Sequence, residues 1–223
     1  MKCGFAPDSH RVNAADPLFV RSWESWREEA RLVIDDPTRE KALVIVSVLV
    51  DSRPVWGVET EPLISEFFQR APTRPILLRL LARFALSHRP PAGFSRGLVV
   101  DSSGENRPYL DLKASAIVPI VDLARWAGLS AGVTSASTST RLEAARQAGT
   151  LSADDARSLQ DAFELASQLR LDHQVAQIEA GERPDDEVDP ATLSPLVRAY
   201  LKEAFRAVHS VQGRIANDIA WAG

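Results

Sequence analysis

The sequence predicts a mainly α protein, a helical bundle with one small β-hairpin. Three observations predict this fold. Apolar residues recur at helical spacing over most of the chain, helix-capping residues stand at the ends of these stretches, and only two short segments have strand character. The longest helical stretch, residues 152–181, is therefore expected to be the central helix of the bundle.

This central helix has a signal at each end. Ser152 can accept a hydrogen bond from the first turn, Asp154 and Asp155 place negative charge at the N-terminus, and Gly181 can end the helix. Apolar residues three and four positions apart line one face, together with one histidine: Ala156, Leu159, Phe163, Ala166, Leu169, His173, Ala176 and Ala180. A second apolar line predicts that neighbours enclose the last part of the helix on two sides; it consists of Leu171, Val175 and Ile178.

The chain begins with a loop and then becomes helical. Pro17 suits a first helical turn capped by Asp16, and this helix is expected to end near position 35. Trp23 and Trp26 share one of its faces, which favours a packed core face over an aromatic platform for a ligand. Residues 39–51 are apolar enough for a helix or a buried strand, and their length favours a helix.

The middle of the chain contains the strand signals. Residues 98–100 and 109–112 flank a turn-rich segment, which predicts the hairpin. Residues 115–128 are apolar nearly all round and predict a buried helix. Further helices are expected at 60–71, 74–88, 140–149 and 194–212, with an acidic loop at 182–189.

Composition excludes several classes of protein. The net charge of −4 gives no electrostatic signature of nucleic-acid binding. The single cysteine, Cys3, excludes a disulfide framework and favours a reducing compartment, so we expect a cytoplasmic protein. The most apolar run, residues 43–50, is too short to span a bilayer, and the N-terminus lacks the pattern of a signal peptide, so no membrane role is expected.

Six motifs in order and spacing resemble one family. They are DLK at 111–113, PIVDLAR at 119–125, TxxRL at 138–142, LSADDA at 151–156, LRLDHQ at 169–174 and LSPLVRAYLKEAFRAV at 193–208. The chain resembles the helical nucleotidyltransferase substrate-binding domain. That domain is the C-terminal domain of bacterial proteins related to PII uridylyltransferase and glutamine-synthetase adenylyltransferase. It often follows CBS or cyclic-nucleotide-binding domains.

The N-terminal part also resembles these proteins. Cys3-Gly4, residues 12–26 and the DSRPVWG motif at 51–57 are similar to the tail of the preceding nucleotidyltransferase domain, although Val58 stands where relatives usually carry aspartate. The resemblance implies two parts: residues 1–58 as the tail of a truncated nucleotidyltransferase domain, and residues 59–223 as the helical substrate-binding domain.

The resemblance implies a domain that binds and orients the substrate of a nucleotidyltransferase. Nucleotidyl transfer needs a Gly-Ser turn and an Asp-x-Asp pair for metal-bound nucleoside triphosphate, and the sequence contains neither. Asp154 and Asp155 are adjacent and open a helix, so capping explains them. The chain alone is therefore expected to be inactive, with magnesium and nucleoside triphosphate bound only by a separate catalytic core. Expected partners are a protein substrate or upstream nucleotidyltransferase and CBS domains.

Two other functions compete with this one. The first is a regulatory or protein-interaction bundle in bacterial signal transduction. It would have lost its enzyme and would bind a partner through the exposed surface that formerly contacted that enzyme. A ribonuclease of the HEPN type is disfavoured, because it needs a histidine four to six residues after an arginine, whereas His173 follows Arg170 and His209 follows Arg206 by three.

Polar residues in apolar surroundings are the candidate site. Asp122 and Arg125, three apart on a buried helix, can pair, and a structural pair is favoured over a site that faces the catalytic domain. His173 is expected to be a hydrogen-bonded core histidine, with Arg170 as its neighbour, because no second ligand stands at metal spacing beside it.

A second set of residues predicts an anion site. Asp111, Lys113 and Arg141 precede or open helices, where charge and backbone groups could gather around a nucleotide phosphate. We expect loss of His173 to cost about 2–4 kcal/mol of stability. Loss of Arg125 or Arg141 is expected to impair binding and to leave stability almost unchanged.

Overall fold

The computed structural model describes residues 16–53, 61–91, 109–133 and 137–221, with the side chains of residues 61–64, 220 and 221 excepted. Within these ranges the helices are α1 (Trp23–Asp35), α2 (Ala42–Asp51), α3 (Glu61–Arg70), α4 (Pro75–Ser87), α5 (Val118–Ser130), α6 (Thr138–Gln147), α7 (Ala153–Glu179) and α8 (Pro195–Trp221). A 3-10 turn, Ala71–Thr73, precedes α4, and a π-helix, Lys113–Ile117, leads directly into α5. The protein is mainly α with one small two-stranded sheet, as predicted.

The central helix has the expected ends. The Ser152 hydroxyl accepts a hydrogen bond from the backbone N–H of Asp155 at 3.1 Å, and Asp154 and Asp155 lie in the first turn. Gly181 has φ +75°. This left-handed conformation commonly ends a helix, and glycine adopts it most easily because it has no Cβ. Capping chemistry therefore determines where α7 starts and stops.

The small sheet joins distant parts of the chain. Strand β1 (Leu110–Asp111) pairs antiparallel with β2 (Glu187–Val188), and Leu110 lies opposite Val188. The predicted strand at 109–112 is thus present, and its partner comes from the segment predicted as an acidic loop. The other predicted strand, at 98–100, lies outside the described residues.

Three apolar clusters hold the helices together. The first joins α1, α2 and α3 to the start of α4 and the end of α5, with Trp23 and Trp26 packed against it, so the tryptophan face is a core face as predicted. The second contains residues of α4, α5, α6, α7 and α8, and the third lies beneath the small sheet. The helix α5 is buried because all of its faces meet neighbours.

Two predicted helix boundaries were wrong. Helix α1 begins at Trp23 with Ser22 as its cap, because the Asp16 carboxylate instead accepts the N–H of Leu18 in a separate turn. Helix α8 continues to Trp221 rather than ending near 212.

The second apolar line of α7 is exposed, not enclosed. Its members are 44–60% exposed: Leu171, Val175 and Ile178. The segment after α7 folds back onto the face that carries Arg170, His173 and Gln174, which is centred about 110° away around the helix axis. The described residues therefore leave this line open to solvent.

Candidate functional site

Two arginines hold the last residue of α2. Arg125, on α5, donates from Nε (2.9 Å) and Nη2 to one carboxylate oxygen of Asp51. Arg141, on α6, donates from Nη1 to the other oxygen at 2.8 Å and from Nη2 to the backbone carbonyl of Val50 at 2.8 Å. We call Asp51, Arg125 and Arg141 the arginine clamp. It ties the C-terminal end of α2 to two helices that follow it by more than 60 residues.

The clamp continues into a buried carboxylate. Asp122 accepts a hydrogen bond from Nη1 of Arg125 at 2.7 Å, which confirms the predicted pair, and its second oxygen lies 2.9 Å from Nδ1 of His88. The carbonyl of His88 in turn accepts from Nε2 of Gln212 at 2.7 Å. The ends of α2 and α4 and the middle of α8 are thus linked through one polar chain across α5.

Burial differs strongly within the clamp. The Arg141 side chain is 5% exposed, that of Arg125 26% and that of Asp51 39%. Burial opposes ionisation of Asp51, but hydrogen bonds and charge from Arg125 and then Arg141 outweigh it and hold the pKa of Asp51 below its ordinary value. Burial likewise opposes the charged form of Arg125, yet Asp51 and Asp122 raise the pKa of its guanidinium.

The expectation for Arg141 is reversed by this burial. Arg141 was predicted to face a ligand and to matter little for stability, but its guanidinium is enclosed and bonded to α2. Its aliphatic stem packs against Gly128 of α5, where an added Cβ would lie 2.8 Å from Cγ of Arg141. A larger residue at position 128 would displace the arginine, so the glycine is part of the clamp's construction.

The lowered pKa predicts how stability depends on pH. A carboxylate whose pKa is lowered by folding stabilises the fold above its unfolded-state pKa, and this contribution is lost as the pH falls through the folded-state value. The free energy of unfolding of the wild type should therefore exceed that of Asp51→Asn near neutral pH. The difference should narrow as the pH falls below about 4. Urea unfolding over a pH series tests this, and a difference that stays constant would contradict it.

The LRLDHQ segment of α7 holds the acidic loop. Arg170 donates from Nε to Asp186 at 2.5 Å, and Nε2 of His173 lies 3.0 Å from the Asp185 carboxylate. Gln174 also donates to Asp186, at 2.9 Å. Burial opposes ionisation of Asp185, but its hydrogen bond to His173 leads the interactions that lower its pKa. These side chains position the loop whose end forms β2.

His173 is therefore less buried than predicted. Its side chain is 23% exposed, its partner is Asp185, and Arg170 binds the next aspartate instead of the histidine. We expect His173→Ala to lower the free energy of unfolding by only about 1 kcal/mol, the net contribution of one partly solvated hydrogen bond with a small packing loss. Denaturant unfolding measures this, with Gln168→Ala on the exposed side of α7 as the control. A loss of 3 kcal/mol or more would instead mean that His173 is a core residue, because truncating a buried side chain costs about 2–5 kcal/mol.

Asp111 and Lys113 do not join Arg141. Asp111 accepts the N–H of Ala114 at 2.7 Å in the first turn of the π-helix, where Lys113 is exposed. Arg141 packs at Gly128, 15 residues further along the same helical run, which places it about 20 Å away. The structure thus brings together Asp122, Arg125 and Arg141 along the middle and last part of α5. Of the other four candidates, Asp111 and Lys113 precede α5, and Arg170 and His173 lie on α7.

Three residues of the polar chain were not predicted from the sequence. Asp51 entered as the last residue of a predicted helix and the first of the DSRPVWG motif, while His88 and Gln212 entered only as the last residues of predicted helices. Within the described ranges, no group of three or more His, Cys, Asp or Glu side chains is placed to hold a metal ion. No helix in that part of the chain is both long and apolar enough to cross a membrane.

Comparison with known proteins identifies the family. Residues 75–219, more than half of the chain, match the family described as "Putative nucleotidyltransferase substrate binding domain". No curated protein and no solved structure matches the chain significantly. The matched range begins at α4 and contains Asp122, Arg125 and Arg141, while Asp51 lies before it. The chain therefore belongs to the nucleotidyltransferase substrate-binding domain family.

Proposed function

We propose that this chain binds and orients the substrate of a nucleotidyltransferase, and that the arginine clamp sets the position of the catalytic domain. The observation that carries this proposal is the position of Asp51. It belongs to residues 1–58, which we assign to the tail of a nucleotidyltransferase domain, and it is held by two arginines of the family-matched part. The clamp is then a contact between the two domains.

The geometry of the clamp suits an orienting contact. The Asp51 carboxylate receives donors from α5 and α6 at both oxygens, and Arg141 also binds the carbonyl before it, so the chain direction at the end of α2 is fixed. A positional error of about 1 Å between reacting groups lowers rates by about a hundredfold, so a rigid contact between substrate-binding and catalytic domains has a direct effect on transfer. Arg125 and Arg141 use their donors on Asp51, Asp122 and Val50, which makes them positioning residues.

The transfer chemistry belongs to a separate catalytic core. That core supplies the Gly-Ser turn, the Asp-x-Asp pair and the magnesium-bound nucleoside triphosphate. The sequence of this chain contains neither the Gly-Ser turn nor the Asp-x-Asp pair, so we assign no transfer step to it. The acceptor we propose is a protein of the PII type, since the motifs resemble PII uridylyltransferase relatives. We propose a bacterial signalling role from the same resemblance, and a cytoplasmic location from the single cysteine.

A fusion experiment tests the proposal. A nucleotidyltransferase catalytic domain with the Gly-Ser turn and Asp-x-Asp pair is joined ahead of this chain, and transfer of label from nucleoside triphosphate to a PII-type protein is measured. We expect the chain alone to show no transfer and the fusion to show it. Asp51→Asn in the fusion should lower the rate by about tenfold at temperatures where both proteins are folded.

Two controls make the result decisive. Arg146→Ala removes an exposed ion pair with Glu143 on the same helix as Arg141 and should leave the rate unchanged. Transfer by the chain alone would contradict the assignment of chemistry to a separate core. A fusion with undiminished transfer after Asp51→Asn would contradict the orienting role of the clamp.

A further inference from the structure

The ring of His88 has one nitrogen bound to the protein and one nitrogen open to solvent. Nδ1 lies 2.9 Å from a carboxylate oxygen of Asp122, whose side chain is only 3% exposed. The side chain of His88 is 41% exposed, and within the described part of the chain its Nε2 has no hydrogen-bond partner and is not buried. By contrast, the Nε2 of His209, which also has no partner there, is buried.

The partner of Nδ1 determines which ring nitrogen carries the hydrogen. A carboxylate only accepts hydrogen bonds, so Nδ1 is the donor to Asp122. In a neutral ring the hydrogen is then on Nδ1, and Nε2 has a free lone pair. Arg125 already brings a positive charge to the other oxygen of Asp122, at 2.7 Å, so a neutral donor is enough for the second oxygen. His88 thus presents a hydrogen-bond acceptor to solvent.

Three contacts fix this acceptor in place. His88 follows the last residue of α4 as its C-cap, and its carbonyl accepts a hydrogen bond from Nε2 of Gln212 at 2.7 Å. The Phe84 ring, one turn earlier, meets the imidazole edge to face, with the ring centroids 5.1 Å apart. The bond from Nδ1 to Asp122 is the third contact. Both the backbone and the ring of His88 are therefore held before a ligand binds, which lowers the entropy cost of binding.

Under the proposed function, His88 lies beside the junction with the catalytic domain. Only Arg125 and Asp122 stand between its ring and Asp51, the clamp residue that we assign to the tail of that domain. A substrate bound at His88 would therefore be close to the transfer reaction. Transfer needs an acceptor whose hydroxyl oxygen attacks the nucleoside triphosphate. A hydroxyl group is also a donor that a neutral imidazole nitrogen can accept from.

We propose that His88 is a substrate-binding residue, and that its Nε2 accepts a hydrogen bond from the hydroxyl group of the nucleotidyl acceptor. Asp122 and Gln212 act through His88 as positioning residues. The proposal rests on the proposed function and names the group of the substrate that this domain contacts. The transfer step itself stays with the separate catalytic core.

A purely structural role for His88 makes a different prediction. The buried carboxylate of Asp122 needs a second donor, and the side-chain amide of an asparagine at position 88 can supply one, because its nitrogen takes about the place of Nδ1. Asparagine has no counterpart of Nε2. His88→Asn therefore keeps the structural contact and removes the proposed one, whereas His88→Ala removes both.

Nuclear magnetic resonance of the full chain tests the acceptor directly. At alkaline pH, where histidine side chains are neutral, long-range hydrogen–nitrogen correlations show which ring nitrogen carries the hydrogen. The signals of His88 are identified by their absence in His88→Asn. We expect the hydrogen on Nδ1 and a free lone pair on Nε2. A hydrogen on Nε2 would overturn the proposal without affecting the test of the orienting function.

Binding of a PII-type protein to the full chain tests the contact. His88→Asn should weaken binding about fivefold, the equivalent of one hydrogen bond, while its urea unfolding stays close to that of the wild type. Ser87→Ala is the matched control, because it removes only an exposed hydrogen bond to the Phe84 carbonyl, and it should change binding less than about twofold. Wild-type affinity in His88→Asn would overturn the proposal and leave the orienting function intact. No binding by the wild-type chain would contradict the proposed function, and this proposal with it.

Discussion

Replacing Arg141 by alanine is expected to lower the free energy of unfolding by about 3 kcal/mol, because one partner of a largely buried charge pair is removed. The change leaves the Val50 carbonyl without its side-chain donor and takes one of two arginines from Asp51. It also empties the space that the arginine stem fills beside Gly128. Asp51 is partly solvated, which keeps the loss at the lower end of the range for buried ion pairs.

The same substitution elsewhere on α6 provides the control. Arg146→Ala removes an ion pair between side chains that are both more than 40% exposed, so it should cost less than about 0.5 kcal/mol. Arg141→Lys keeps the charge without the planar fork and should lose most of the stability that the alanine variant loses. Urea unfolding of the three variants measures the differences. A loss below about 1 kcal/mol for Arg141→Ala would show that the clamp contributes little to stability.

The helices could be predicted because their signals are local. A cap, a glycine stop and apolar residues at helical spacing all lie within the helix that they define, as at Ser152 and Gly181. The start of α1 was missed for the same kind of reason. Asp16 and Ser22 are both good caps within one short segment, and only the structure shows that the first closes a turn and the second begins the helix.

The strand pairing could not be predicted from local signals. Residues 110–111 have strand character, but their partner at 187–188 is acidic and short, and its extended shape depends on the side chains of α7 that hold Asp185 and Asp186. Val188 alone favours a strand, and the acidic residues around it disfavour one. The pairing is therefore a consequence of tertiary structure.

Contacts within the candidate site could be predicted only where the two residues are close in sequence. Asp122 and Arg125 are three residues apart on one helix, so their pairing follows from helix geometry. The bond between Arg141 and Asp51 spans 90 residues, and no spacing rule reaches that far. The helical period identifies which residues share a face, but not how far the neighbouring elements cover that face. His173 was therefore expected in the core and Arg141 outside it.

The glycine beside the clamp provides a second large effect. Gly128→Ala is expected to lower the free energy of unfolding by about 2 kcal/mol, because the new Cβ would lie 2.8 Å from Cγ and 2.9 Å from Cβ of Arg141. These atoms belong to the fixed base of a buried side chain and cannot swing away. Gly213→Ala is the matched control within α8, where no atom lies within 4 Å of the added methyl group. That variant should gain up to about 1 kcal/mol from helix propensity.

A double-mutant cycle separates the clash from a general loss of packing. In the Arg141→Ala background the Cγ contact is gone and α6 is no longer tied to Asp51, so α6 can retreat from the remaining Cβ contact. Gly128→Ala should then cost less than about 1 kcal/mol, a coupling of more than about 1 kcal/mol between the two positions. Urea unfolding of the wild type, both single variants and the double variant gives this value. Additive losses would mean that Gly128 is required for a reason other than its contact with Arg141.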